Sequence, residues 1–133
     1  MKIAICTSPN QSKHLLDIGF DPEYADMYYP IMPDGQLNQF PLSGYKMELA
    51  EKDDIPAWSL TKLIQIMPET IYGPVPKDHP TKLIIRKNGV YYFDETGLQH
   101  GPCFVSSEDR LIDAVYKMIC WLAKNGYIKG YIK

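Results

Sequence analysis

Long apolar runs are missing from this sequence. No stretch approaches the roughly 18 residues that suggest a membrane span, so a membrane partner is not expected. The start, MKIAICTSPNQSKHLL, offers one Lys before a short apolar stretch. It lacks the longer apolar segment and small-residue cleavage site of a signal peptide. A cytoplasmic location is the expectation that follows. Cysteine is scarce: Cys6, Cys103 and Cys120 are all there are. An odd count at wide spacings does not read as a disulfide framework, and reduced thiols suit the cytoplasm. A phosphate-cradling glycine loop and a nucleophile elbow are both absent. So is any basic cluster dense enough to neutralise several phosphates.

What is present fits a globular protein. In 133 residues, 45% are hydrophobic and 23% charged, which excludes disorder over the whole chain. A chain of this length reads as a single domain, 1–133, burying roughly two-thirds of its unfolded surface without staples. The net charge of −2 hides an asymmetry. Residues 1–57 hold four Lys and nine Asp/Glu, while residues 58–133 hold ten Lys/Arg and seven Asp/Glu. The acidic half suits a basic partner or the other half of the chain.

Helices are expected at about 8–27. Ser8-Pro9-Asn10-Gln11 makes a capping box with Pro at the first helical position, and Leu15, Leu16 and Ile18 supply an apolar face. Gly19 suits a left-handed helix end. Asp21-Pro22 repeats the start signal, which makes DPEYADM a second short helix. From about 28 to 54 the pattern breaks into an irregular loop with a tight turn at PDG. Short strands around Phe40 or Tyr45 to Leu49 are possible within it. A helix at about 59–67 follows, capped by Ser59, with Leu60, Leu63, Ile64 and Met67 at helical spacing and Pro68 as its stop.

KLIIRKNGVYYFDE reads as a hairpin, because Asn-Gly is the preferred pair for a type I′ turn. That turn sets Ile85 opposite Tyr92, Ile84 opposite Phe93, Arg86 opposite Tyr91 and Lys82 opposite Glu95. A third strand at Cys103 to Val105 follows the turn ETGLQHGP, completing a hairpin-and-strand unit at about 81–105. The last helix is expected at about 107–125, with a capping box at Ser106 and Asp109. Leu111, Ile112, Val115, Met118, Ile119 and Leu122 form its apolar stripe. The doubled GYIK tail reads as a short extended strand or a frayed basic end. Helix, then strands, then helix make the class α+β: an antiparallel sheet of three to five strands, packed by helices mainly on one face.

The succession QSKHLLDIGFDPEYADM, PAWSLTKLIQIMP, a hairpin and EDRLIDAVYKMICWLAKNGYI resembles small proteins of unknown function encoded in bacterial prophages and other mobile elements. The resemblance covers most of the chain and is weakest from Tyr28 to Asp54. It implies a bacterial cytoplasmic setting and an accessory role, and carries no catalytic or binding residue with it.

Residue chemistry points the same way. His100 and Cys103 form one ligand pair without the second that a structural zinc site needs. Cys103 beside His100 on an extended chain lacks the orienting third group of a thiol nucleophile. Asp53-Asp54, Asp94-Glu95 and Glu108-Asp109 each have a structural reason to be acidic, by loop, strand end or helix first turn. No catalytic residue, metal or cofactor is therefore assigned. The leading expectation is a non-enzymatic protein-binding surface at Tyr24, Tyr28, Tyr29, Phe40 and Tyr45, since tyrosine is enriched at interfaces. On that expectation Tyr28→Ala with Tyr29→Ala loses the partner and keeps the fold. A small single-stranded nucleic-acid module using Lys82, Arg86, Tyr91 and Tyr92 stands second, because aromatics beside cations on a sheet make stacking platforms. The negative net charge counts against it. A small enzyme stands third and needs a polar pocket.

Overall fold

Ser8 opens the first helix through the capping box its neighbours provide. In the computed structural model of the chain, Ser8 Oγ accepts from the Gln11 amide at 3.1 Å, and Gln11 Oε1 accepts from the Ser8 amide at 3.0 Å. The structure describes residues 5–46, 53–72, 80–87, 89–93, 99–105 and 110–133, and residues 99–105 only through their backbone. Helix α1 runs Pro9–Asp17. It stops at Gly19, whose φ of +102° is a left-handed conformation. A β-carbon there would also meet Ile132 at 3.0 Å, so conformation and space both call for glycine.

The second helix expected up to residue 27 is not formed. Asp21 and Pro22 do start a turn, but it is a single 3-10 turn, Pro22–Tyr24, and the chain is extended again at Ala25. Strand pairing overrides the local signal. Met27–Tyr29 is strand β1, the centre of a three-stranded antiparallel sheet with β2 (Leu42–Ser43) and β3 (Ile55–Ala57) in the order β2-β1-β3. The region expected to be an irregular loop therefore holds two strands, and β3 borders it. Asp26 locks this turn to the next element. Its carboxylate accepts from the Ser59 amide at 2.8 Å and the Ser59 hydroxyl at 2.5 Å. Ser59 Oγ in turn accepts from Lys62 N and caps helix α2, Leu60–Ile66.

Four strands form the second sheet: β4 (Thr70–Tyr72), β5 (Pro80–Arg86), β6 (Gly89–Phe93) and β7 (Gln99–Val105), antiparallel and in chain order. The class is thus α+β, with two sheets rather than one. The β5–β6 register departs from the Asn-Gly turn. Arg86 pairs with Gly89, Ile85 with Val90, Ile84 with Tyr91, Leu83 with Tyr92 and Lys82 with Phe93. Gly89 is thus a strand residue; Asn88 and Glu95 lie outside the described residues. Inward and outward alternation fixes register only to within two residues. The pairing adopted takes Gly89 into ladders on both sides, with Arg86 and with Val105.

Strand β7 also begins earlier than the turn chemistry of His100-Gly101-Pro102 suggests. Tyr92 pairs with His100 and Val90 with Phe104, so residues 101–103 stand opposite Tyr91 alone. The glycine and proline express themselves as a bulge inside an edge strand, a position where proline is tolerated.

Helix α3, Leu111–Lys124, lies against β6, β7 and α2. It starts at Leu111, and the Ser106–Asp109 cap lies outside the described residues. Asp113 serves the first turn instead, accepting from the Arg110 amide and Nε, each at 3.2 Å. Gln11 Nε2 donates to the same carboxylate at 2.8 Å, which ties α1 to α3. Burial works to raise the Asp113 pKa, but the hydrogen bonds from Arg110 and Gln11 prevail and hold it below the ordinary value. Ile112, Val115, Met118, Ile119 and Leu122 bury the expected stripe together with Leu15, Trp58, Leu63, Val90 and Tyr92. The indole Nε1 of Trp58 is buried and has no hydrogen-bond partner among the described residues.

The GYIK tail is neither frayed nor a strand. Gly126, at φ +79°, ends α3, Tyr127 stacks on Trp121, and Ile128 is buried in the main core. A 3-10 turn, Lys129–Tyr131, then leads Ile132 into a bridge with Phe20. The Lys133 amide donates to the Gly19 carbonyl at 2.8 Å.

Candidate functional site

Among the described residues, and apart from Ile5 and Ile18, the exposed large apolar side chains gather on two surfaces. The first is the segment from Pro30 to Ser43, which comprises the loop after β1 and strand β2 itself. Its sequence turns back on itself through short polar side chains. Asp34 accepts from the Gln36 amide at 3.0 Å, and Asn38 accepts from the Phe40 amide at 2.9 Å. Such local bonds are why Asp and Asn mark turns. Gly35 takes φ +84° within PDG. The loop is also tied across its base, where Ile31 bridges Leu37, the Asn38 amide donates to the Pro30 carbonyl at 2.8 Å, and Asp54 accepts from the Ile31 amide at 3.0 Å. On this braced frame Phe40 is 77% exposed, with Met32 and Leu42 exposed beside it. A concavity of about 420 Å³ lies between Met32, Pro33, Leu37 and Phe40, and its lining holds one titratable group, Asp34.

The tyrosines expected at this surface divide. Tyr29 is 5% exposed and belongs to the small core with Cys6, Met27 and Ala57. Its hydroxyl donates to the Thr7 carbonyl at 2.8 Å, and burial, then the Cys6 contact, push its pKa up. Tyr29 is therefore packing, and replacing it together with Tyr28 is expected to disturb the fold rather than only the surface. Tyr24 leans edge-on against Tyr131, with ring centres 4.8 Å apart. Tyr28 and Tyr45 are half-buried, their ring centres 6.1 Å apart, and burial raises the Tyr45 pKa. Met32 and Leu42, which pattern alone did not single out, accompany Phe40 on the open side. Their signal in the sequence is weak, because a lone apolar residue in a polar loop says nothing about its exposure.

The second surface is the outer face of the four-stranded sheet. Alternation along the strands sends Ile71, Thr81, Val90 and Tyr92 inward, where all four are buried. The opposite parity carries Tyr72 on β4, Lys82, Ile84 and Arg86 on β5, and Tyr91 and Phe93 on β6. Tyr92 therefore leaves the expected nucleic-acid set. It sits in the core, its hydroxyl donates to the Pro68 carbonyl at 2.7 Å, and burial raises its pKa. Lys82, Arg86 and Tyr91 remain, and Tyr72 and Phe93 join them.

Thiol and imidazole chemistry gathers at a third place. The His14 Nδ1 and the Tyr116 hydroxyl share a hydrogen bond between α1 and α3, with Cys120 Sγ at 3.8 Å from the same nitrogen. Burial raises the Cys120 pKa against the opposing Tyr116 hydrogen bond, and desolvation also raises that of Tyr116. A thiol held protonated is a poor nucleophile. Cys120 is half-buried at the α1–α3 contact rather than sunk in the core. His100 and Cys103 are placed by their backbones in β7. Among the described residues no group of three or more His, Cys, Asp or Glu side chains is arranged to hold a metal ion, and no helix is long and apolar enough to cross a membrane. Comparison with protein-family models, curated proteins and solved structures returns no match.

Proposed function

We propose that the chain is a non-enzymatic accessory protein that binds a partner protein through the braced loop at residues 30–43. The observation that carries this reading is Phe40, a large apolar side chain left open on a loop whose backbone is already fixed by hydrogen bonds. A preorganised loop loses little entropy on binding, so an exposed aromatic on it acts as an anchor at low cost. Met32 and Leu42 supply apolar area around the anchor, and Tyr28 and Tyr45 flank the base of the loop. Asp34 and the acidic balance of residues 1–57 favour a partner whose apolar pocket has a basic rim. The resemblance to small prophage-encoded proteins supports a role as an adaptor of a phage or mobile element in the bacterial cytoplasm.

The test is affinity capture from a bacterial lysate at two salt concentrations, with the native chain and with Phe40→Asp side by side. A stoichiometric protein that survives high salt and is lost with Phe40→Asp, while circular dichroism stays the same, is the expected outcome. Equal retention by both chains would remove the loop as the binding surface.

A further inference from the structure

We infer that the outer face of the four-stranded sheet is a binding platform for single-stranded nucleic acid, built from Tyr72, Tyr91 and Phe93 with Lys82 and Arg86. This surface is separate from the loop at 30–43 and stands or falls without it. The register places all five side chains on one face. Lys82 lies directly across from Phe93 on one side and from Thr70 on the other. Tyr72 pairs with Pro80 at the far strand, Tyr91 pairs with Ile84, and Arg86 follows two residues along β5. Antiparallel sheets with one face on the core leave the other to solvent, and that second face is normally polar. Here it carries aromatic rings. Tyr72 is 58% exposed and Phe93 is 37% exposed. Tyr91 and Phe93 meet edge-on with ring centres 6.2 Å apart.

The chemistry of the face selects the ligand. Exposed ring faces stack on bases of any sequence, and cations between them meet the phosphates. Lys82 and Arg86 are both exposed. They lie on β5, between the strand that carries Tyr72 and the strand that carries Tyr91 and Phe93. Tyr72 and Phe93 are two strands apart and two residues out of line, about 12 Å at the usual strand spacing and rise. Rings so spaced suit separate bases of one strand rather than a single base. A duplex hides its base faces in the stack, so rings of this kind are of no use to it. The chain's net charge of −2 does not oppose this placement, because the acidic excess lies in residues 1–57 and the sheet belongs to the half with the basic excess.

The test is fluorescence polarisation with end-labelled oligo-dT and oligo-U of about 20 nucleotides, with a duplex of equal length as comparison. The expected result is binding of a single strand at low salt that exceeds binding of the duplex. Phe93→Ala or Tyr72→Ala should each weaken it about tenfold, in line with the cost of losing one stacked base. Lys82→Ala with Arg86→Ala should lower the slope of log affinity against log salt by about 1.4, as two lost phosphate contacts predict for a single strand. Phe93→Tyr keeps a ring at the position and should retain binding, which separates loss of stacking from damage to the sheet. A preference between the two oligomers decides between DNA and RNA. Absence of binding at low salt overturns the inference and leaves the rings as a contact for protein. Binding that ignores both alanine substitutions also overturns it, since that would be charge adsorption elsewhere on the chain.

Discussion

The two sheets are stabilised by different means. The four-stranded sheet rests on α3 through continuous apolar burial, with Val90 and Tyr92 facing Val115, Met118 and Leu122 in one cluster. The three-stranded sheet covers a far smaller core of Cys6, Met27, Tyr29 and Ala57. It relies on carboxylates and amides aimed at backbone groups: Asp26 on Ser59, Asp54 on Ile31, Asp34 on Gln36 and Asn38 on Phe40. Burial is non-directional and tolerates rearrangement, whereas hydrogen bonds hold particular atoms at particular distances. The difference explains how the smaller region keeps a defined shape while leaving Phe40, Met32 and Leu42 in water. Shape there does not depend on hiding those side chains.

Substitutions that strike each means of support separately sharpen this contrast. Trp58→Ala, in the large core, should cost about 3–5 kcal/mol, the range for removing a buried large aromatic. Urea unfolding at constant pH measures it. In the smaller region Asp26→Ala should have the larger effect of any polar change, about 2–3 kcal/mol, because it frees the Ser59 amide from a charged acceptor at the start of α2. If Asp26→Ala costs less than 0.5 kcal/mol by the same measurement, the polar support assigned to this region is wrong. Asp113→Asn should remove about 1 kcal/mol at neutral pH through weaker bonds from Arg110 and Gln11. Because the native Asp113 pKa is held below the ordinary carboxyl value by the bonds from Arg110 and Gln11, its stabilisation is present above the unfolded value and disappears as pH falls through the native one. Melting curves from pH 6 to pH 2 should therefore converge for the native chain and Asp113→Asn at the acid end. Phe40→Ala should be the mildest, within about 0.5 kcal/mol of the native chain, as for surface positions elsewhere. A large loss of stability with Phe40→Ala would show that the ring is packing, and would break the comparison at its weakest point.

Elements governed by local chemistry were legible in the sequence. Ser8 and Gln11 formed the box they spelled, Ser59 capped α2, PDG turned, and the stripe from Ile112 to Leu122 was buried. What could not be read was set by partners distant in the chain. DPEYADM carries a sound helix signal, yet Met27 is drawn into pairing with Ser43 and Ala57. IPA offers too few residues for a strand pattern and becomes β3. Asn88-Gly89 named a turn, but neighbouring strands on both sides of β6 set the register. The interaction surfaces were half legible. The alternation VYYF shows that one tyrosine faces in and one out, but only the position of α3 decides that Tyr92 is inside and Tyr91 outside. Tyr29 failed as a surface residue for the same reason, since its neighbours Cys6 and Ala57 come from other parts of the chain.

The tie between Gln11 and Asp113 sets a clock on synthesis. The two residues are 102 positions apart, and a ribosome adds about 5–20 residues per second. Helix α1 is therefore synthesised roughly 5–20 seconds before the helix that holds it. At nine residues, α1 is shorter than helices that persist alone in water. Through that interval it is an exposed segment carrying Leu15 and Leu16, open to any chaperone that reads short apolar stretches.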